Sequence, residues 1–185
     1  MYTILRQHIE KIVPLTNEEY EQIQTYFTFK KFRKHQFVVQ EGNAVEQEYF
    51  VLKGLLKAFY INAEGKDHII QFAMEDWWIT DYQAQINRNP ATLNIDCIED
   101  TELLCITFER KNELCQAFHK MEHFFRIKSA YGYIALQQRI LSFLNNDAQS
   151  RYTQLLRQYP ALFQRVPKAL IASYLGVSRE TLSRF

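Results

Sequence analysis

Tyr49-Phe50-Val51-Leu52-Lys53-Gly54-Leu55-Leu56-Lys57-Ala58-Phe59-Tyr60-Ile61-Asn62-Ala63-Glu64-Gly65 is the stretch whose reading decides the fold. It holds two short β-type runs, the first stopping at Lys53-Gly54 and the second at Asn62-Ala63-Glu64-Gly65. Such turn clusters punctuate strands, because glycine adopts positive φ without the steric cost other residues meet. The pattern continues on both sides. Upstream, Gln36-Phe37-Val38-Val39-Gln40 stops at Glu41-Gly42; downstream come runs at 68–72, 92–98 and 103–108. Strands at this spacing, separated by glycine turns, predict an antiparallel sandwich or roll.

Helical patterns flank this β region. Within residues 1–30, Ile9, Ile12 and Val13 recur at helical spacing. Leu15-Thr16-Asn17-Glu18-Glu19 then offers a polar start to a second helix carrying Tyr20, Ile23 and Phe27. Residues 109–146 contain one glycine and no proline, and read as helix. Phe124, Ile127, Tyr131, Ile134, Gln138 and Leu141 make one stripe there, and Phe125, Ala135 or Leu136, Ile140 and Phe143 or Leu144 lie beside it. A helix apolar on two sides must be covered on two sides. The β region can cover one, but the basic segment that follows is too short to cover the other. A second copy of the same helix is therefore expected, with Phe124, Ile127, Tyr131 and Ile134 near the two-fold axis of a homodimer.

The last segment carries the functional signal. Pro167 suits a helix start, where its missing N–H costs nothing. Lys168-Ala169-Leu170-Ile171-Ala172-Ser173-Tyr174-Leu175 continues as a short amphipathic helix, and Gly176 fits its left-handed end. Ser178 is a good cap for a following helix, with Glu180 near the positive end of its dipole. Two helices across so short a turn form a helix-turn-helix. Ile171, Leu175, Val177, Leu182 and Phe185 close its inner side, while Arg179, Glu180, Ser183 and Arg184 face outward. Arginine can take both acceptors of guanine in a major groove, and glutamate can accept from the cytosine amino group.

Charge agrees. The net charge is +1, but residues 1–110 carry 11 Lys and Arg against 17 Asp and Glu, and residues 111–185 carry 11 against 4. A basic C-terminal segment suits a polyanion. Composition excludes other classes. No apolar run reaches membrane-span length. The opening residues lack a basic stretch followed by an apolar one, so no secretory leader is expected. Cys97, Cys105 and Cys115, odd in number and without paired spacing, predict neither a disulfide framework nor a zinc site. His119 and His123 are one helical turn apart, a spacing more often structural than metal-binding. No metal site, evident cofactor or catalytic constellation is read, and the chain is not expected to be an enzyme.

Ile171-Ala172-Ser173-Tyr174-Leu175-Gly176-Val177-Ser178-Arg179-Glu180-Thr181-Leu182-Ser183-Arg184 resembles the helix-turn-helix of the cyclic AMP receptor protein and fumarate-nitrate reduction regulator (Crp/Fnr) family. The resemblance implies an α+β chain in three parts. Residues 1–110 would form an antiparallel, jelly-roll-type β-roll of the cyclic-nucleotide-binding kind with N-terminal helices. Residues 111–146 would be the dimerisation helix and 147–185 the DNA-binding unit. It implies Arg179, Glu180 and Arg184 as base readers, supported by Ser178, Ser183 and Lys168. It also implies a palindromic double-stranded DNA site and contact with RNA polymerase, while the unpaired cysteines and the opening residues predict a cytoplasmic location. The family's recognition helix runs on for another turn or more, so one ending at Phe185 is expected to be short.

Departures from the family pattern carry their own expectation. Members that bind cyclic nucleotides use a Gly-Glu pair and then Arg-Ser/Thr-Ala. Here Ile79-Thr80 and Ala91-Thr92-Leu93 stand at those positions. Cyclic AMP is therefore not expected to bind in the family's usual way, and the effector stays unassigned. The alternative is a ligand-sensing roll that regulates a partner protein without touching DNA.

Overall fold

The computed structural model describes residues 3–185; Met1 and Tyr2 of the opening stretch lie outside the described residues. Helix α1 (Thr3–Glu10) is followed by α2 (Asn17–Ile23) and a single 3-10 turn at Gln24–Tyr26. Eight strands come next: β1 (Thr28–Phe32), β2 (Phe37–Val39), β3 (Gln47–Lys53), β4 (Leu56–Ile61), β5 (Asp67–Ala73), β6 (Trp78–Ile79), β7 (Asn94–Cys97) and β8 (Thr101–Thr107). Helix α3 (Tyr82–Asn87) interrupts them between β6 and β7. The chain closes with α4 (Phe108–Ala117), α5 (His119–Asn145), α6 (Ala148–Gln158), α7 (Pro160–Arg165), α8 (Lys168–Leu175) and α9 (Arg179–Leu182).

The strands form two four-stranded sheets, ordered β1-β8-β3-β6 and β2-β7-β4-β5. In the first, β8 runs antiparallel to both β1 and β3, with Tyr49 opposite Cys105 and Phe50 opposite Leu104. Side chains alternate across this sheet. Tyr49, Val51, Leu103 and Cys105 point into the interior of the roll, with Val39, Leu56 and Ile95. Phe50, Leu104 and Ile106 point the other way, into a second core with Leu5, Ile9, Ile23, Leu114 and Phe124. Both faces of β3 and β8 are therefore covered, which explains why their sequences are continuous apolar runs. Val51 and Leu103 are fully buried on one face, Phe50 and Leu104 on the other.

Local signals place the element ends. Thr16 caps α2 in a reciprocal capping box, its hydroxyl accepting from the Glu19 N–H while the Glu19 carboxylate accepts from the Thr16 N–H. Gly54, at φ +104°, makes the β3–β4 turn; a Cβ there would lie 2.6 Å from the Asp100 carbonyl oxygen.

The structure departs from the expected element bounds in four places. Helix α1 ends at Glu10, and Ile12 and Val13 follow it in a turn. Phe27 is extended backbone after α2, and β1 begins one residue later, inside the region read as helical. That strand reads Thr-Phe-Lys-Lys-Phe and is fixed by pairing with β8, 69–77 residues away in sequence. Helix α3 is too short for periodicity to reveal; its start is set by Asp81, whose side chain accepts from the Ala84 N–H. Finally, the helical segment 109–146 is broken at Phe118, which adopts φ −130° and ψ 95°. Its side chain packs against the helix-covered core, so burial supplies the break without glycine or proline.

Two compact units are present. One comprises residues up to Ala58 together with Phe72–Lys128; the other comprises Phe59–Gln71 together with Ser129–Phe185. The tip of the β4–β5 hairpin therefore groups with the C-terminal helices.

Candidate nucleic-acid interface

Within the C-terminal unit, α8 and α9 are joined by a turn at Gly176, which sits at φ +69°. The Gly176 and Val177 N–H groups donate to the Ser173 and Ala172 carbonyls and so close the end of α8. Arg151 of α6 reinforces this end, its guanidinium donating to the Leu175 carbonyl at 3.1 and 3.3 Å and to the Asn146 carbonyl at 2.8 Å. Ser178 caps α9, its hydroxyl accepting from the Thr181 N–H at 3.1 Å. Ile171, Ala172, Leu175 and Leu182 are buried, as the inner face requires. Phe185 is partly exposed and rests by the Tyr152 ring, 5.6 Å between centroids. Pro167 precedes the first helical residue of α8, one place earlier than a first-turn position.

Lys168, Ser178, Arg179, Glu180, Ser183 and Arg184 are all exposed on this unit. The Ser183 hydroxyl donates to the Glu180 carbonyl at 2.7 Å, so it is engaged with its own helix. The Glu180 carboxyl is held below its ordinary range by its own backbone N–H and by the Ser178 hydroxyl. At neutral pH the surface offers two guanidinium groups, an ammonium and one carboxylate acceptor. No ion pair among the described residues holds Arg179 or Arg184.

Not every cation of this segment belongs to that surface. Arg139 is largely enclosed, and burial pulls its guanidinium below the ordinary range. It and Arg151 bond to carbonyls inside the unit. Charge counting alone gives no sign of this.

The residues read as a dimer surface separate. Phe124 is 0 % exposed in the core with Leu5, Phe50 and Leu114, so it has no surface left for a partner and is corrected from interface to core. Ile127 is half-buried, whereas Tyr131 and Ile134 are exposed. Tyr133, which neither stripe included, joins Ile140 and Leu144 of the second stripe in the exposed apolar surface, Leu144 at 75 %. Every residue from 129 to 138 is exposed. The stripes could be read from spacing, but the point along α5 where the chain's own core ends could not.

In the roll, two of the positions read as departures from nucleotide binding, Thr92 and Leu93, bond to the Asp81 carboxylate. Asp81 is 2 % exposed. Its carboxylate accepts from the Thr92 N–H at 2.7 Å, the Thr92 hydroxyl at 2.9 Å, and the Leu93 and Ala84 N–H groups at 3.1 Å each. Burial pushes its pKa up, but these donors outweigh it and hold the group below its ordinary range. Ile79 is fully buried, and the Thr80 hydroxyl donates to the Gln47 carbonyl. Trp78 packs with His8, Phe50 and Phe125. Burial pushes the thiols of Cys97, Cys105 and Cys115 up to about 11, so they remain protonated. His123 lies 2.8 Å from the Arg126 guanidinium, and among the described residues no group of three or more His, Cys, Asp or Glu can hold a metal ion. Among the same residues no helix is long and apolar enough to cross a membrane.

Comparison with known proteins fits this architecture. Residues 29–118 match the family model described as the cyclic nucleotide-binding domain. No curated protein sequence matches the chain. Among solved structures, the c-di-GMP responsive global regulator CLP of Xanthomonas campestris superposes with a TM-score of 0.73 at 14% identity, covering 91% of this chain and 89% of that one. FixK2 from Bradyrhizobium japonicum gives 0.72 at 17%, covering 85% and 81%. The catabolite activator protein of Thermus thermophilus gives 0.57 at 21%, covering 92% and 81%. Residues 29–118 thus match the cyclic nucleotide-binding domain, and the chain as a whole shares the fold of these regulators. The resemblance to the Crp/Fnr regulators, first read in residues 171–184, extends through the fold of the roll and the helices after it.

Proposed function

We propose that this chain is a cytoplasmic transcription regulator that binds palindromic double-stranded DNA as a homodimer, through a helix-turn-helix formed by α8 and α9. The carrying observation is the arrangement at residues 176–184. A left-handed glycine and a serine cap hold a short helix whose buried side faces its own unit and whose outer side presents Arg179, Glu180 and Arg184. This is an electrostatic footprint suited to a major groove, with polar groups able to read base edges. In this reading residues 1–110 sense, 111–146 dimerise and 147–185 bind DNA, with RNA polymerase a further contact. The exposed apolar run of α5 beyond Lys128 supports self-association, because a surface of that kind on a free helix favours burial.

The roll, in the same reading, does not take cyclic AMP in the usual manner. Asp81 supports this: its carboxylate already accepts from the Thr92 and Leu93 N–H groups, at the positions the resemblance gives to phosphate recognition.

Selection from a random duplex pool at low salt tests the function. The expected result is a palindrome whose half-sites are ~10–10.5 base pairs apart, centre to centre, since a dimer places its two recognition helices in successive major grooves. If no duplex is selected, with or without cell extract to supply an effector, DNA binding is refuted and the partner-regulating module becomes the account.

A further inference from the structure

Strand β5 is the last strand of its sheet, so one row of its backbone N–H and C=O groups has no neighbouring strand. Side chains from two helices of the C-terminal unit take groups along 67–70. Ser173 of α8 donates its hydroxyl to the Asp67 carbonyl at 2.7 Å and accepts from the Ile69 N–H at 3.3 Å. Asp67 and Ile69 are alternate residues, whose main-chain groups point to the same edge of a strand. Arg139 of α5 donates to the Ile70 carbonyl, to the Ile69 carbonyl at 2.9 Å and to the Tyr174 carbonyl at 3.1 Å. Its guanidinium carbon also lies 3.9 Å from the centroid of the Tyr174 ring and 5.5 Å from that of Phe143.

A guanidinium suits this junction. Its planar fork offers several donors in fixed directions, and its flat face stacks on aromatic rings. Among the described residues its hydrogen-bond partners are three carbonyl oxygens, two on the hairpin and one on α8. Phe143, one helical turn beyond Arg139, lies under the turn after α8, where a Cβ on Gly176 would be 3.0 Å from its ring. The hairpin, α5 and the start of the turn that leads to α9 therefore share one fastening.

We infer that Arg139 and Ser173 are positioning residues that fasten the 59–71 hairpin to α8, and that this fastening sets how residues 178–184 meet DNA. The second half rests on the DNA-binding reading above. The strands of the hairpin continue into the roll through Ala58 and Phe72, so the fastening gives the sensing part of the chain a covalent route to the reading helix.

Amide hydrogen exchange and duplex titration on the whole chain test it, with Arg139→Met and Ser173→Ala. Ser173→Ala is the milder change and serves if Arg139→Met does not fold. The Ile69 amide, which donates to Ser173, should exchange at least tenfold faster in Ser173→Ala. Amides of 59–71 and 168–182 should lose protection together, while those of β3 and β8 keep theirs. Affinity for the selected duplex should fall about tenfold or more, with the salt slope of the parent, because neither residue contacts phosphate. Unchanged exchange in the hairpin would overturn the fastening. Faster exchange with undiminished affinity would overturn the positioning role, and a salt slope lowered by about one would make Arg139 a phosphate contact instead. A parent chain that selects no duplex would refute the DNA reading itself, a result seen before any variant is made.

Discussion

Arg184, Lys168, Asp81 and His8 carry testable weight at the residue scale. Arg184 and Glu180 lie one turn apart and exposed, so they can address neighbouring base pairs. Arg184→Ala should cost ~1–3 kcal/mol at the matched site and relax base preference there, whereas Lys168→Ala should weaken all duplexes about equally and lower the salt slope. Asp81 works inside the roll. Asp81→Ala strands the Ala84, Thr92 and Leu93 N–H donors it now accepts from, and should cost about 3 kcal/mol in denaturant unfolding. The parent protein should give no saturable heat with millimolar cyclic AMP. His8 is 2 % exposed, donates from Nδ1 to Asp76 and accepts at Nε2 from the Trp78 indole N–H. Burial, and then the Lys128 charge, depress its pKa to about 4 from 6.5. A depressed histidine is neutral when folded, and the unfolded chain binds the proton more readily. Its contribution is therefore complete above pH 6.5 and declines as pH falls toward 4, by about 3 kcal/mol in all. His8→Phe should flatten that part of the stability–pH curve measured by urea titration.

At the element scale, the β3–β4 turn is the least tolerant joint. Gly54 combines positive φ with an approach that would put a Cβ 2.5–2.8 Å from atoms of Asp100 and Thr101. Backbone cannot yield as a flexible side chain does, and β4 and β8 flank the turn. Gly54→Ala should therefore cost about 2 kcal/mol or more, read as a lowered thermal midpoint, while Gly65→Ala, with open space at its Cβ position, pays only for its φ. Helix α5 shows the opposite kind of element. Its first turns are held by Met121, Phe124 and Phe125 in the core, and its later turns expose tyrosine, leucine and isoleucine to solvent.

At the scale of the whole molecule, that exposed run is the argument for assembly. Ile134→Asp would place a charge where a second helix is expected to pack, and burial of an unpaired charge is strongly disfavoured. The parent should be a dimer at micromolar concentration by light scattering and the variant shifted toward monomer; a monomeric parent would sink the proposal. Charge is also distributed at this scale. The segment from residue 111 is strongly basic, yet Arg139 and Arg151 hold carbonyls inside their unit, so the proposed DNA contact falls to the exposed cations.

By itself, the sequence determined the β-roll, the chief strands and the capped helices at its C-terminal end, because those features are local. Gly42, Gly54, Gly65 and Gly176 do adopt the positive φ that their turn positions demand, and Ser178 does cap α9. Periodicity, turn chemistry and caps act over a few residues and leave direct marks in composition. Tertiary structure decided what depends on distant partners. Strand β1 exists because β8 pairs with it, and the break at Phe118 exists because that ring is drawn into the core. Phe124 reads like its stripe-mates Tyr131 and Ile134, yet it alone is covered by the chain's own core, since only the packed fold fixes where along α5 that cover ends. The joining of Arg139 and Ser173 to the 67–70 edge, across up to 106 residues, had no local mark at all: a hydrogen bond between such positions is a property of the folded chain and not of either segment.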